Sequence, residues 1–180
     1  MFAYNLLVTF HGNQKGHSEL EVRERMKELG AYVERLETCE VEGVFLILVG
    51  GDTKVLVSQI KRLCHEDPVG FQYTHHWVPI ERWVPSNKDE IRKNAVEIGK
   101  GIGAEESWMM HLHKRHMAEH YDDLISYLTE PLNRGHVDLS DPDRILAVEI
   151  LGKNTGMSLL NRHELLDVNK VRVESGHGKV

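Results

Sequence analysis

The first apolar side chains of the sequence follow a strand pattern and then a helical one. In residues 4–10 every second apolar side chain falls on the same face, which predicts a half-buried strand. From Ser18 to Leu29 the apolar residues recur every three or four positions, which predicts an amphipathic helix. Ser18 has a glutamate three residues later, as a capping box requires, and Gly30 closes the helix.

The next segments continue an alternation of strands and helices. Residues 31–39 and 44–50 read as a strand pair, Asp52 caps a second helix, and residues 71–84 form an extended segment. The resulting order, β-α-β-β-α-β, is the ferredoxin-like pattern. We therefore predict an N-terminal ferredoxin-like domain over residues 1–84, a fold that by itself indicates no function.

A second α/β unit is predicted over residues 85–162. Ser86 is expected to cap its first helix, and a second amphipathic helix is expected after residue 115. Residues 163–180 are mostly polar, and we expect them to form a frayed C-terminal tail. The strands of the unit are predicted over residues 107–115, 136–139, 145–151 and 155–160.

The acidic balance of the chain restricts any role with nucleic acid. The sequence has 22 Lys and Arg residues against 28 Asp and Glu residues, and a formal net charge of −6. Proteins that bind nucleic acid are usually basic, because neutralisation of phosphates drives their affinity. An RNA-binding role therefore requires a local basic patch and help from a partner.

The apolar segments and the cysteines indicate the compartment. No apolar run approaches the roughly 20 residues that span a bilayer, and no charged-then-apolar leader opens the sequence. Cys39 and Cys64 stand alone without a C-x-x-C spacing, so we expect reduced thiols and neither a disulfide scaffold nor a cysteine zinc site. We expect a cytoplasmic protein without a membrane partner.

One short motif suggests a metalloenzyme. Residues 116–120, HMAEH, have the H-x-x-E-H spacing of a zinc peptidase helix. Such a site needs both histidines and the carboxylate to face one dry cavity that also holds a third ligand. On a helix, Glu119 lies nearly opposite the apolar stripe and His116 lies well off it. We interpret the segment as a solvated histidine face and expect no metal there.

Other catalytic patterns are weaker. Gly99, Gly101 and Gly103 follow a helix and not a strand, which is the wrong context for a dinucleotide loop. The sequence has neither a P-loop nor a G-x-S-x-G motif. The spacing of His111, His113 and His116 suits an adventitious metal ion on an extended segment, and the sequence leaves metal binding by residues 111–120 open. We expect no catalytic residue and no cofactor.

The second unit resembles a THUMP domain. The matching run is ESWMMHLHKRHMAEHYDDLISYLTEPLNRGHVDLSDPDRILAVEILGKNTGMSLL, residues 106–160. It has a strand ending in Lys114-Arg115, an amphipathic helix and the segment V-D-L-S-D-P-D, followed by a buried strand and the turn K-N-T-G. The ferredoxin-like half is similar to the domain that precedes THUMP in tRNA-modifying proteins, so the resemblance covers nearly the whole chain.

The resemblance implies a function in tRNA modification. In thiouridine synthases and tRNA methylases, the THUMP domain delivers tRNA to a separate catalytic domain. Here only residues 161–180 follow the THUMP-like part, too few for such a domain. The chain is therefore similar to the stand-alone THUMP proteins that hold tRNA for a separate tRNA acetyltransferase, which forms N4-acetylcytidine. We expect a non-catalytic adaptor whose partners are the acceptor-end region of tRNA and this enzyme.

The RNA-binding side chains are expected in the THUMP-like part and near one edge of its sheet. RNA is bound by cationic side chains at phosphates, with amide, hydroxyl and imidazole groups beside them. The candidates expected near this edge are Lys114, Arg115, Arg134, Lys153, Asn154 and Thr155. Arg92, Lys93 and Lys100 on the first helix would extend the patch, and His113 and His136 would add hydrogen bonds.

Two alternatives remain beside the adaptor. The chain is then either an RNA-modifying or metal-dependent enzyme that works alone, or a tRNA-binding module for a separately encoded thiolation or methylation enzyme.

Overall fold

The computed structural model describes residues 3–180. The chain forms two compact units, one of residues 3–79 with 163–180 and one of residues 80–162. In chain order the elements are β1 (Leu6–Phe10), α1 (Lys15–Glu28), β2 (Val33–Thr38), β3 (Val44–Val49), α2 (Thr53–Glu66), β4 (Thr74–Pro79), β5 (Arg82–Pro85), α3 (Lys88–Gly99), β6 (Ser107–Arg115), α4 (Tyr121–Thr129), β7 (His136–Val137), β8 (Arg144–Leu151), β9 (Asn154–Asn161), β10 (Leu166–Asp167) and α5 (Val168–Glu174).

The first unit has the predicted ferredoxin-like arrangement. Its sheet has the strand order β10-β4-β1-β3-β2, and β1 pairs antiparallel with both β3 and β4. Helices α1 and α2 contribute their apolar stripes to the core, where Met26 and Ile60 are buried beside Phe45 and Trp77. The side chain of Asp52 accepts hydrogen bonds from two backbone N–H groups of α2, so the predicted cap is confirmed.

The C-terminal segment differs from the polar tail expected from its composition. Residues 163–180 belong to the first unit, in which β10 pairs with β4 and α5 follows directly. Leu166 and Val168 are completely buried and Val171 is nearly so. These few apolar residues stand at positions that face the core, and their burial orders a segment that is otherwise polar.

The second unit combines one mixed sheet with two helices. Its strand order is β5-β9-β8-β6-β7, in which β6 runs parallel to β8 and to β7. On β6 and β8 the even-numbered side chains, such as Leu112 and Val148, pack in one core with Ile91 of α3 and Leu124 of α4. Odd-numbered residues of the same strands therefore point to the opposite face of the sheet. The α+β fold implied by the resemblance is confirmed.

Two helix starts differ from the sequence prediction. Asn87, and not Ser86, caps α3 by accepting hydrogen bonds from the N–H groups of Asp89 and Glu90. The hydroxyl of Ser86 is instead 2.9 Å from the Thr155 hydroxyl. Helix α1 begins at Lys15, three residues before the expected cap.

The H-x-x-E-H segment is not helical. His116 has a φ of 59°, in the left-handed region, and α4 begins only at Tyr121. The helical wheel used for residues 116–120 therefore does not apply, and their spacing does not bring the two histidines onto one helical face. Among the helices of residues 3–180, none is both long and apolar enough to cross a membrane.

Candidate nucleic-acid interface

The C-terminal ends of β6 and β8 meet at one edge of the second sheet. We call this the carboxyl edge and define it as residues 114–117, 151–154 and 85–88. Its three segments are joined by backbone hydrogen bonds: the Gly152 N–H donates to the Arg115 carbonyl and the Ser86 N–H donates to the Lys153 carbonyl, both at 2.9 Å. Because parallel strands end together, residues far apart in sequence are fixed side by side here.

Three lysines belong to the carboxyl edge. Lys153 is exposed in the turn between β8 and β9, and Lys114 is half-buried with its Nζ 3.2 Å from the Met117 carbonyl. Lys88 is exposed at the start of α3, with its Nζ 5.3 Å from the centre of the Tyr127 ring. Asn154 is half-buried beside them. Three ammonium groups on three segments suit contacts with a phosphate backbone.

Arg115 is engaged within the protein. Its Nη1 donates to Glu149 Oε2 at 2.7 Å, and its Nη2 is 3.4 Å from Nδ1 of His113. His111 Nε2 is 3.0 Å from the other oxygen of Glu149, and the two imidazole rings are 4.3 Å apart. His113, expected as a hydrogen-bonding group for RNA, is thus half-buried in this cluster.

The Glu149 carboxylate is completely buried between His111 and Arg115. Burial alone would raise its pKa, but the hydrogen bond and charge of His111, with the charge of Arg115, outweigh that effect and bring the pKa down to about 2. Glu149 is not among the residues predicted from the sequence. The signal that could have identified it is that it is the one charged residue inside the apolar strand I-L-A-V-E-I-L.

Two further candidate residues are tied to other parts of the protein. Thr155 is completely buried and its hydroxyl pairs with Ser86, so its side chain cannot reach RNA from this position. Arg92 forms an ion pair with Glu130 at 2.8 Å, and its guanidinium lies 4.4 Å from the centre of the Tyr127 ring. Lys93, the next residue on α3, is exposed.

The remaining candidates lie at the opposite end of the sheet. Lys100 and Arg134 line one groove beside the end of α3, and His136 pairs with Ser107 at the start of β6. From Ser107 to Arg115 the strand rises by about 3.3 Å per residue, so the two groups are roughly 26 Å apart. Arg134, expected at the same edge as Lys114 and Lys153, therefore lies at the other end of the sheet with Lys100 and His136.

The V-D-L-S-D-P-D segment stabilises the fold. Asp143 Oδ2 accepts from the N–H and the hydroxyl of Ser107 at 2.9 and 3.1 Å, and its other oxygen accepts from Arg162. These hydrogen bonds lower the pKa of Asp143. Asp138 accepts from the N–H groups of Ser140 and Asp141, which closes a turn. The segment thereby joins the starts of β6 and β8.

The turn before β7 requires a glycine. Gly135 has a φ of +63°, and a Cβ atom at this position would collide with the carbonyl oxygen of Glu106. Arg134 and His136 are held on either side of it.

Comparisons with known proteins give similarity in fold alone. No protein-family model matches the sequence, and no curated protein matches it. Three solved structures that are similar are PH1313 from Pyrococcus horikoshii Ot3, TrmN from Thermus thermophilus, and a 4-thiouridine synthetase in complex with RNA and bound ATP.

The match to each structure extends over most of this chain. PH1313 has a TM-score of 0.57 at 10% identity, covering 88% of this chain and 55% of its own. TrmN has a TM-score of 0.56 at 16% identity, covering 92% of this chain and 47% of its own. The 4-thiouridine synthetase has a TM-score of 0.51 at 16% identity, covering 91% and 42%. This chain thus spans about half the length of these proteins and shares the fold of the part it matches.

Proposed function

We propose that this chain is a non-catalytic adaptor that binds tRNA and presents it to a separate cytidine acetyltransferase, which forms N4-acetylcytidine. The observation that carries the proposal is the carboxyl edge, where Lys88, Lys114 and Lys153 come from three segments joined by backbone hydrogen bonds. The shared fold with a 4-thiouridine synthetase that was solved with RNA supports a role with RNA.

The lysines would bind phosphates and not read bases. Ammonium groups contact phosphate oxygens without regard to sequence, so they position an RNA but do not select it. A preference for tRNA then comes from the shape of the folded acceptor end and from 2′-hydroxyl contacts. The chain as a whole has a net charge of −6, and exposed acidic groups such as Glu105, Asp122 and Asp123 would face a basic surface of the enzyme.

The first test measures tRNA binding by the purified protein. We expect the double variant Lys114→Glu, Lys153→Glu to bind tRNA about tenfold more weakly than the unchanged protein at low salt, because two phosphate contacts become repulsive. The matched control is Lys170→Glu, an exposed lysine on α5 in the first unit. Equal affinity of the double variant and the unchanged protein at every salt concentration would contradict the proposed surface.

The second test separates an adaptor from an enzyme. The protein is incubated with tRNA and acetyl-CoA, with and without the partner acetyltransferase, and the nucleosides are analysed by mass spectrometry. We expect N4-acetylcytidine only when both proteins are present, and less of it with the double variant. A modified nucleoside formed by this chain alone would instead support a stand-alone enzyme.

A second candidate is a tRNA-binding module for a separately encoded thiolation or methylation enzyme. The similarity to a 4-thiouridine synthetase favours this alternative. Nucleoside analysis of total tRNA from cells that lack the gene distinguishes the two. Loss of N4-acetylcytidine supports the acetylation adaptor, whereas loss of a thiolated or methylated nucleoside supports the alternative.

A further inference from the structure

Two imidazoles and a buried carboxylate converge on the face of the second sheet that points away from α3 and α4. His111 and His113 are two residues apart on β6 and share this face, and Glu149 is the direct neighbour of His113 on β8. One ligand atom from each of the three lies within 4.8 Å of the other two. Within residues 3–180 this is the one group of His, Cys, Asp or Glu side chains that meets such a criterion.

The donor set suits a particular class of ion. Two histidine nitrogens and one carboxylate oxygen form the three-ligand set of open zinc sites, and related metals accept the same ligands. Hard cations such as Mg²⁺ and Ca²⁺ prefer oxygen ligands and would leave the imidazoles unused. The cluster therefore favours a divalent first-row transition metal over an alkaline-earth ion.

The two carboxylate oxygens of Glu149 have different partners. Arg115 Nη1 donates to Oε2, so Oε1 is the oxygen that faces the His111 imidazole. Oε1 faces His111 Nε2 at 3.0 Å, and an ion could replace the proton between these two atoms. Arg115 would then keep its bond to Oε2 and orient the ligating carboxylate, as partners outside the ligand set do in metal sites.

We propose that His111, His113 and Glu149 form a binding site for Zn²⁺ or a closely related divalent transition metal, with a water molecule completing the coordination. At zinc–ligand distances of about 2.0–2.2 Å, neighbouring ligand atoms in a tetrahedron are roughly 3.3–3.6 Å apart. His111 Nε2 and Glu149 Oε1 are already closer than that, at 3.0 Å. The ligand atom of the half-buried His113 lies within 4.8 Å of both, and rotation of its side chain would bring it to bonding distance of the ion.

Isothermal titration of the full-length, metal-stripped protein with Zn²⁺ tests the proposal. We expect one ion per chain, and a loss of affinity in both His111→Asn and His113→Asn that exceeds the roughly 10–100-fold cost of losing an outer partner. The matched controls are His116→Asn and His120→Asn, which alter exposed histidines a few residues away on the same segment and should leave the affinity unchanged. Circular dichroism establishes that each variant is folded.

Co²⁺ gives an independent readout of coordination. We expect visible absorption typical of tetrahedral cobalt in the unchanged protein and in the two controls, but not in His113→Asn. Glu149→Gln should also lose this absorption, but if that variant does not fold, the two histidine variants still decide the question. Zinc binding that survives in His111→Asn and His113→Asn, or that is lost equally in the controls, would overturn the proposal and indicate adventitious binding by surface histidines.

Discussion

At the scale of single residues, Cys64 shows how completely the first core excludes water. The side chain is fully buried on α2, and burial, with the nearby charge of Glu21, raises the pKa of the thiol to about 12. The thiolate is the reactive form, so Cys64 should be inert at neutral pH in the folded protein.

Thiol labelling checks this expectation. In a Cys39→Ser variant Cys64 is the remaining cysteine, because the chain has two. We expect no reaction with Ellman's reagent at pH 8 in the folded state and one equivalent after unfolding in guanidinium chloride. Rapid labelling of the folded variant would show that the core opens far more often than its packing implies.

Residue roles were the hardest features to predict from the sequence. Lys114 and Lys153 could be selected because they flank a strand and a turn, and both do lie on the carboxyl edge. Arg115 directly follows Lys114 and Thr155 lies two residues after Lys153, yet Arg115 pairs with Glu149 and Thr155 is buried. Strand pairing decides which of several nearby side chains reaches solvent, and it depends on partners distant in sequence.

At the scale of elements, Asp143 links β8 to β6 through Ser107 and is bound by Arg162. Because hydrogen bonds to the carboxylate lower its pKa, the contribution of Asp143 to stability is present above its ordinary value of 3.8 and is lost as the pH falls through the lowered pKa. We expect Asp143→Asn to be less stable than the unchanged protein at pH 7, with the difference shrinking below about pH 4.

Urea unfolding at several pH values measures this difference. The control is Glu105→Gln, at an exposed position in the loop before β6. Its urea midpoint should equal that of the unchanged protein at every pH. If the difference in the free energy of unfolding between Asp143→Asn and the unchanged protein stayed constant down to pH 3, this would contradict a role for the ionised carboxylate.

The last strand and helix offer a second prediction for elements. Leu166 of β10 is completely buried against the first core, so Leu166→Ala should lower the free energy of unfolding by about 2–5 kcal/mol. Val173→Ala, at a position on α5 that is 51% exposed, should change it by less than about 0.5 kcal/mol. Equal midpoints of the two variants in urea would mean that residues 163–180 do not share the core.

Element types were predicted well and their ends less so. The alternation in residues 4–10 and the Asp52 cap identified β1 and the start of α2 because these signals are local. The ordered state of residues 163–180 and the cap of α3 could not be read in the same way. The segment around Leu166 is ordered because β10 pairs with β4, where Leu166 lies opposite Trp77. The Ser86 hydroxyl pairs with the Thr155 hydroxyl and does not cap α3. Both outcomes depend on residues distant in sequence.

At the scale of the whole molecule, the chain is acidic, with a net charge of −6. The response of RNA binding to salt therefore depends on the few local lysines that neutralise phosphates. If the three lysines of the carboxyl edge carry the interaction, about three phosphates are neutralised, and the logarithm of the association constant should fall with that of salt concentration with a slope of roughly −2 to −3. Fluorescence anisotropy with labelled tRNA measures this slope. A slope of roughly −3.5 to −4.5 would mean that Lys100 and Arg134 also contact RNA.

The first unit is built from two separate stretches of the sequence, and this affects its folding during translation. Its final strand and helix lie beyond the whole second unit in sequence, so a ribosome completes residues 80–162 before it supplies residues 163–180. During translation the inserted unit can fold as soon as it emerges, whereas the nascent first sheet must wait with the edge of β4 unpaired. An exposed edge of this kind invites pairing with other chains, so slow elongation over the codons for residues 163–180 would favour misassembly.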